Sequence, residues 1–358
     1  MKWECELKVA KKKERKNRLK SLVLLLFLTI VLLSTSTYAW FTANRTVSID
    51  PINVQIAASS GLQISTNASD WKTLITNTDI SSPTGYSAHK NQLPSELAPV
   101  STIGSVTNGY MNFYKGVVEG DQDNGGAMSL TATKCPDEAA GTTGDFIAFD
   151  IFLKVDDADG ADIFLTNGSG VTVTSGEADK GLQYAARYGF ITLGNTASTS
   201  NAATAQALSG GTSTIIVEPN FDAHTTTGVN NASTYYNQTT TVGASGVAAV
   251  AYKGVKAAIA SPIVLVDTNP GGNPSATYFA DISTLYKTNV AYSNAGTTYA
   301  AYKGSTLESH LLKIFHLSTG ITKLRVYMWV EGQDIDCENA ASGAFLTYKL
   351  GFTLDDDE

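Results

Sequence analysis

The sequence predicts an all-β protein, a jelly-roll-like antiparallel β-sandwich with a few short helices and a long polar insertion. Three observations carry this: apolar residues at every second position, Asp/Gly-rich turns between such runs, and few stretches of helical period. Ile147, Phe149, Ile151, Leu153 and Val155 alternate with residues that include Ala148, Asp150 and Lys154, the pattern of a half-buried strand. Leu324, Val326, Met328 and Val330 alternate with Arg325, Tyr327, Trp329 and Glu331. Leu346, Tyr348, Leu350, Phe352 and Leu354 repeat the pattern against Thr347, Lys349 and Thr353. "DDADGAD" separates the 146–155 strand from "IFLT", and "STG" separates "KIFHL" from "ITKLRVYMWV"; both spacings predict hairpins. Helical signals are confined to 176–186, before "RYGFITL" resumes strand, and to "STLESHLL", which opens with a Ser305/Glu308 capping box. Residues 195–245 are polar, with only "TIIVEP" strand-like, and predict a loop-rich insertion reaching to about 260 that is either a set of binding loops or a decoration.

The first 39 residues read differently. Lys8 to Lys20 holds eight basic residues and one acid, followed by the apolar run Leu22 to Leu33, which are the n- and h-regions of a secretory leader. Small residues around Ala39 predict cleavage between Ala39 and Trp40, leaving 40–358 as the β-sandwich domain. The alternative is a retained anchor, because residues 21–41 carry no charge and about 20 residues can just cross a bilayer. Either way the remainder lies outside the membrane, with the basic cluster cytoplasmic. The expected location is extracellular or at the cell surface.

Without the leader, 16 basic and 30 acidic residues remain, a net charge of −14. Such a body repels nucleic acid and anionic lipid and suits Ca²⁺ or basic partners. Outside the leader the cysteines are Cys135 and Cys337, which form either one disulfide closing a loop of about 200 residues or two thiols. No Cys-x-x-Cys, His-Glu-x-x-His, Gly-x-Ser-x-Gly or Walker loop is present, and His89, His224, His310 and His316 show no metal spacing. The chain therefore reads as non-catalytic and without a resident cofactor, Ca²⁺ excepted. Asp157, Asp159 and Asp162 around Gly160 are a candidate Ca²⁺ loop, and Asp121 and Asp123 a weaker one. Tight turns need Asp and Gly in any case. "WVEGQDIDC", with Trp329, Glu331, Asp334, Asp336 and Cys337, is either a cation or partner site or a strand cap.

The leader end "STYAWFT" and its following strand, "NQLPSELAPVST", "DFIAFDIFLKV", "KGLQYAARYGFITLG" and "LRVYMWVEGQDIDC" resemble exported Firmicutes surface and matrix proteins allied to TasA and camelysin. The resemblance implies a jelly-roll-like sandwich, export through a SipW-type signal peptidase, and matrix fibres in which one subunit's N-terminal strand completes the next subunit's sheet. Val47, Ile49, Ile52, Val54 and Ile56 are the candidate donor strand, which Pro51 should bend or split. The other reading is that this segment pairs inside its own sandwich. One member of the family is described as a metalloendopeptidase, but the usual helical zinc motif is missing here.

The leading expectation is thus an exported structural protein of the cell surface or biofilm matrix, self-associating into fibres and contacting cell-surface or matrix components. Competing expectations are an anchored or secreted glycan- or protein-binding module, and a secreted hydrolase.

Overall fold

The computed structural model describes residues 47–48, 55–58, 62–121, 127–166, 169–173, 182–212, 214–219, 253–264, 277–281, 313–334, 337 and 345–354. The chain divides between Tyr38 and Ala39, and every described residue lies in the second unit. Strands make up 51 % of the interpretable residues, against two α-helices of five residues each, Asn77–Ser81 and Ala202–Gln206, so the fold is all-β and sandwich-like. The leader, the Ala39/Trp40 junction and the 305–312 capping box lie outside the described residues.

Two large sheets dominate. The five-stranded sheet has the order β14 (Thr214–Val217), β13 (Ala186–Thr196), β19 (Gly320–Val330), β10 (Ile147–Val155) and β3 (Gln63–Ser65). The six-stranded sheet has the order β18 (Lys313–Leu317), β11 (Ala161–Leu165), β20 (Leu346–Thr353), β2 (Gln55–Ala58) and β4 (Leu74–Ile75), with β12 (Gly170–Val173) also on β20. Smaller pairings surround them. β1 (Val47–Ser48) joins β5 (Glu96–Leu97), β6 (Val106–Thr107) joins β7 (Tyr110–Met111), and β15 (Lys253–Val255) joins β17 (Phe279–Asp281). β8 (Tyr114–Asp121), β9 (Ala127–Lys134) and β16 (Ile259–Val264) make a three-stranded sheet.

The apolar phase of each long strand enters one core. Ile147 to Val155 of β10, Leu324 to Val330 of β19 and Tyr188 and Phe190 of β13 contribute their alternate residues, met by Ile163 and Leu165 of β11 and by Leu346, Tyr348, Leu350 and Phe352 of β20. At about 25 cal/mol per Å² of apolar surface removed from water, this is the main stabilising layer. The other phase does not face solvent, contrary to the half-buried reading. Val100, Met111 and Phe113 cover Ala148, Tyr327 and Trp329, with Phe113 stacked on Phe146 at 4.2 Å and edge-on to Trp329 at 5.2 Å. Tyr86, Ala205 and Ala68 cover Phe152 and Ile321. All eleven residues of β19 are therefore buried.

The two predicted hairpins are arches between sheets. "DDADGAD" carries the chain from β10 in the five-stranded sheet to β11 in the six-stranded one, and "STG" carries it back from β18 to β19. The arches lie side by side, because β10 pairs with β19 and β11 with β18. The Thr319 hydroxyl donates to the Asp157 carbonyl, and Gly160 (φ 78°) passes so close that a Cβ there would stand 2.4 Å from the Leu317 oxygen. The polar 195–245 stretch is likewise partly built in. Residues 195–212 finish β13, form the 202–206 helix and return toward β14, while 220–252 lie outside the described residues.

The candidate donor segment pairs within its own chain. Val47 of β1 pairs with Leu97, and Ile56 of β2 pairs in parallel with Leu350 of β20 and antiparallel with Ile75 of β4. This is the one parallel ladder among the described strands. Ile49, Ile52, Val54 and Pro51 lie outside the described residues.

Candidate functional site

The covered outer face of the five-stranded sheet holds charge as well as aromatic surface, and there a pocket opens. Asp150 of β10 and Arg325 of β19 are direct cross-strand partners. The guanidinium grips the carboxylate as a fork, Nε to Oδ1 at 2.9 Å and Nη2 to Oδ2 at 3.3 Å. Lys323 Nζ stands 3.4 Å from Oδ2, and the Tyr86 hydroxyl donates to the same oxygen at 2.7 Å. Asn91 Oδ1 accepts the Asp150 amide at 3.0 Å. Burial alone would raise the Asp150 pKa, but Arg325 and Lys323 outweigh it and hold the carboxyl below its ordinary value. Burial, and then the Asp150 charge, push the Tyr86 hydroxyl well up, so it remains a donor. Burial lowers the Lys323 pKa against the pull of Asp150, with Arg325 adding to the lowering.

Three local structures place the walls. Asn108 (φ 53°) and Gly109 (φ 80°) form the two-residue loop of the β6–β7 hairpin, a conformation that Asn-Gly favours because both residues tolerate positive φ. The hairpin lays the Tyr110 ring over the Arg325 guanidinium, 4.9 Å from its centroid. Asn201 caps the 202–206 helix by accepting Thr204 N–H at 2.9 Å, and at the far end the Gln206 carbonyl accepts Lys323 Nζ at 2.8 Å. In β13 the register on β19 shifts between Thr192 and Gly194, a bulge that turns Leu193 toward the pocket lining.

The resulting cavity is about 170 Å³. Lys323, Arg325, Tyr86 and Tyr110 line it, with Lys90, Asn108 and Ser209 exposed at its mouth. Lys323, Arg325 and Lys90 thus gather around Asp150 in this lining. Glu138 is buried near Arg325, and burial raises its pKa against the Tyr327 hydrogen bond and the Arg325 charge.

None of the sequence-predicted site residues lines this pocket. Asp157, Asp159 and Asp162 are not gathered into a Ca²⁺ cage. Asp157 Oδ1 accepts the Asp159 amide at 2.9 Å inside its own turn, whereas Asp162 is held across the β11–β18 pair by Lys313 Nζ at 2.7 Å and His316 Nδ1 at 2.6 Å. Among the described residues no three His, Cys, Asp or Glu side chains stand close enough to share a metal. Asp121 ends β8, and Asp123 lies outside the described residues. Of the two states open to Cys135 and Cys337, the structure has two free thiols: Cys135 packs with Phe113 and Trp329 on the outer face, Cys337 in the inter-sheet core, and the sheet stands between those clusters. Burial, then Asp145, push the Cys135 thiol up to about 12, which keeps it protonated and unreactive.

"WVEGQDIDC" is a strand cap. Glu331 accepts Trp329 Nε1 and the Gln333 amide, both at 3.1 Å, and Arg187 bridges Asp334 and, at 3.4 Å, Glu218. Trp329, Glu331, Asp334 and Cys337 are buried, and Asp336 lies outside the described residues. The pocket residues carried one local signal, the Asn-Gly dipeptide between two short β-like runs. Lys323 and Arg325 carried none, because what covers them is far away in sequence.

No family model matches the chain, and no curated protein or solved structure matches it either.

Proposed function

We propose that this chain is an exported structural protein of the cell surface or biofilm matrix that self-associates by exchanging its N-terminal strand. The observation that supports it most directly is the seat of β2. This four-residue strand lies between β20 and β4, and only residues 59–62 link it to β3 in the other sheet. A neighbour's β2 can occupy the same seat with the same ladder, the backbone supplying affinity and the alternating side chains register. Such head-to-tail exchange does not close on itself and builds a filament. The leader-like start, the net acidic body and the resemblance to TasA-type proteins agree with this reading.

Gln55 and Lys349 are in register across the β2–β20 ladder. The double variant Gln55→Cys/Lys349→Cys of the chain starting at Trp40 reports where β2 sits without removing it. After assembly and oxidation, non-reducing gels should show a ladder of covalent oligomers, and electron microscopy should show fibres. Only intramolecular bridges, in a sample that elutes as monomer, would refute exchange. As a second measurement, the chain starting at Leu62 should give no fibres, and fibres from both chains would equally refute it.

A further inference from the structure

The pocket on the outer face gathers cationic side chains in its lining. Asp150 faces two buried cations, Lys323 and Arg325, whose side chains are 6 % and 7 % exposed, and Lys90 adds a third at the mouth. Surplus positive charge in a desolvated wall is costly unless an anion approaches it. Arg325 and Lys323 have donors to meet one. Arg325 has five N–H groups, of which two go to Asp150 and one reaches the Gly109 carbonyl at 3.5 Å. Lys323 gives one to Gln206 and leans toward Asp150 with another.

Size and lining narrow the class. A cavity of about 170 Å³ matches one six-membered ring, since a dry cavity of roughly 150 Å³ holds benzene. The lining is mixed: Tyr86 and Tyr110, whose rings lie against Lys323 at 5.5 Å and Arg325 at 4.9 Å, and the exposed Asn108 and Ser209 at the rim. A phosphate ion would leave most of that volume and both tyrosines unused. A ring that bears hydroxyls and one carboxylate would use the cations, the rim groups and the aromatic surface together.

We propose that this pocket binds an acidic monosaccharide unit, a carboxylate-bearing pyranose of the uronate kind, with the carboxylate toward Arg325 and Lys323 and the hydroxyls toward the rim. The site is distinct from the β2 seat and needs no strand exchange, so either proposal can fail while the other stands.

The test uses the chain starting at Trp40 in isothermal titration with glucuronate, glucose, acetate and inorganic phosphate as probes. Glucuronate should bind saturably, and at least about tenfold more tightly than glucose, which lacks the charge-assisted contact, or acetate, which lacks the ring. Lys90→Gln should weaken glucuronate binding severalfold. Ala207→Trp, at an exposed position in the lining, should abolish it while leaving the melting temperature unchanged. Absence of saturable glucuronate binding, equal binding of glucose or acetate, tighter binding of phosphate, or wild-type binding by Ala207→Trp would each overturn the proposal.

Discussion

Asp150 shows how much can depend on one carboxylate. It is 1 % exposed and is the counter-charge to both Arg325 and Lys323. Asp150→Asn keeps the shape but leaves two buried cations facing each other. A loss of about 3–5 kcal/mol is expected in urea unfolding at pH 7, the usual result of breaking a buried pair from one side. A change below 1 kcal/mol would mean that water reaches the cluster. Glu138 should act in the opposite sense. Its folded pKa is raised, so the stability it contributes is complete below its ordinary value of 4.5 and is lost as pH rises through the folded value. Glu138→Gln, always neutral, should match the wild type near pH 4 and exceed it in stability at pH 7. Thermal melts at the two pH values would show whether the gap opens. The two cysteines give a third residue-scale expectation: Ellman's reagent should label neither thiol rapidly in the folded body, and both after denaturation. The motif "WVEGQDIDC" explains why its acids could not be assigned from sequence. Glu331 and Asp334 have the residue types of a cation site, and only the buried position of Arg187 reveals them as internal partners.

At the scale of elements, β10, β19 and β20 were legible because a period of two survives in any sheet that buries one face. The turns between them were less so. Asp and Gly satisfy a tight hairpin and a crossing arch equally, since each needs positive φ and a side-chain acceptor, and the choice depends on which distant strand offers a ladder. The outer face misled for a related reason. Charged residues in alternate positions usually mark solvent, but Ala68, Tyr86, Val100, Met111, Phe113 and the 202–206 helix cover this face, and nothing near β19 announces them. Gly160 makes the arch geometry testable. Gly160→Ala would combine a left-handed backbone with a clash at the Leu317 carbonyl, and should cost more than about 1 kcal/mol in denaturant melts. A neutral result would show that the two arches do not touch.

For the whole molecule, burial of the five-stranded sheet on both faces makes it the most protected part. Amide hydrogen exchange should be slowest in β19 and its neighbours β10 and β13, and faster in β1 and β5, whose ladder has two residue pairs. Equal protection across these strands would contradict the layered arrangement. The β2–β20 ladder has a further consequence for a chain delivered N-terminus first. Gln55–Ala58 finds its parallel partner only at residues 349–352, almost three hundred positions later. Until those residues emerge the β2–β20 ladder cannot form, and the early segment waits without that partner throughout the interval. If strands are exchanged as proposed, crowding at the exit site, rather than the contacts of the finished fold, would then decide between a solitary subunit and a linked one.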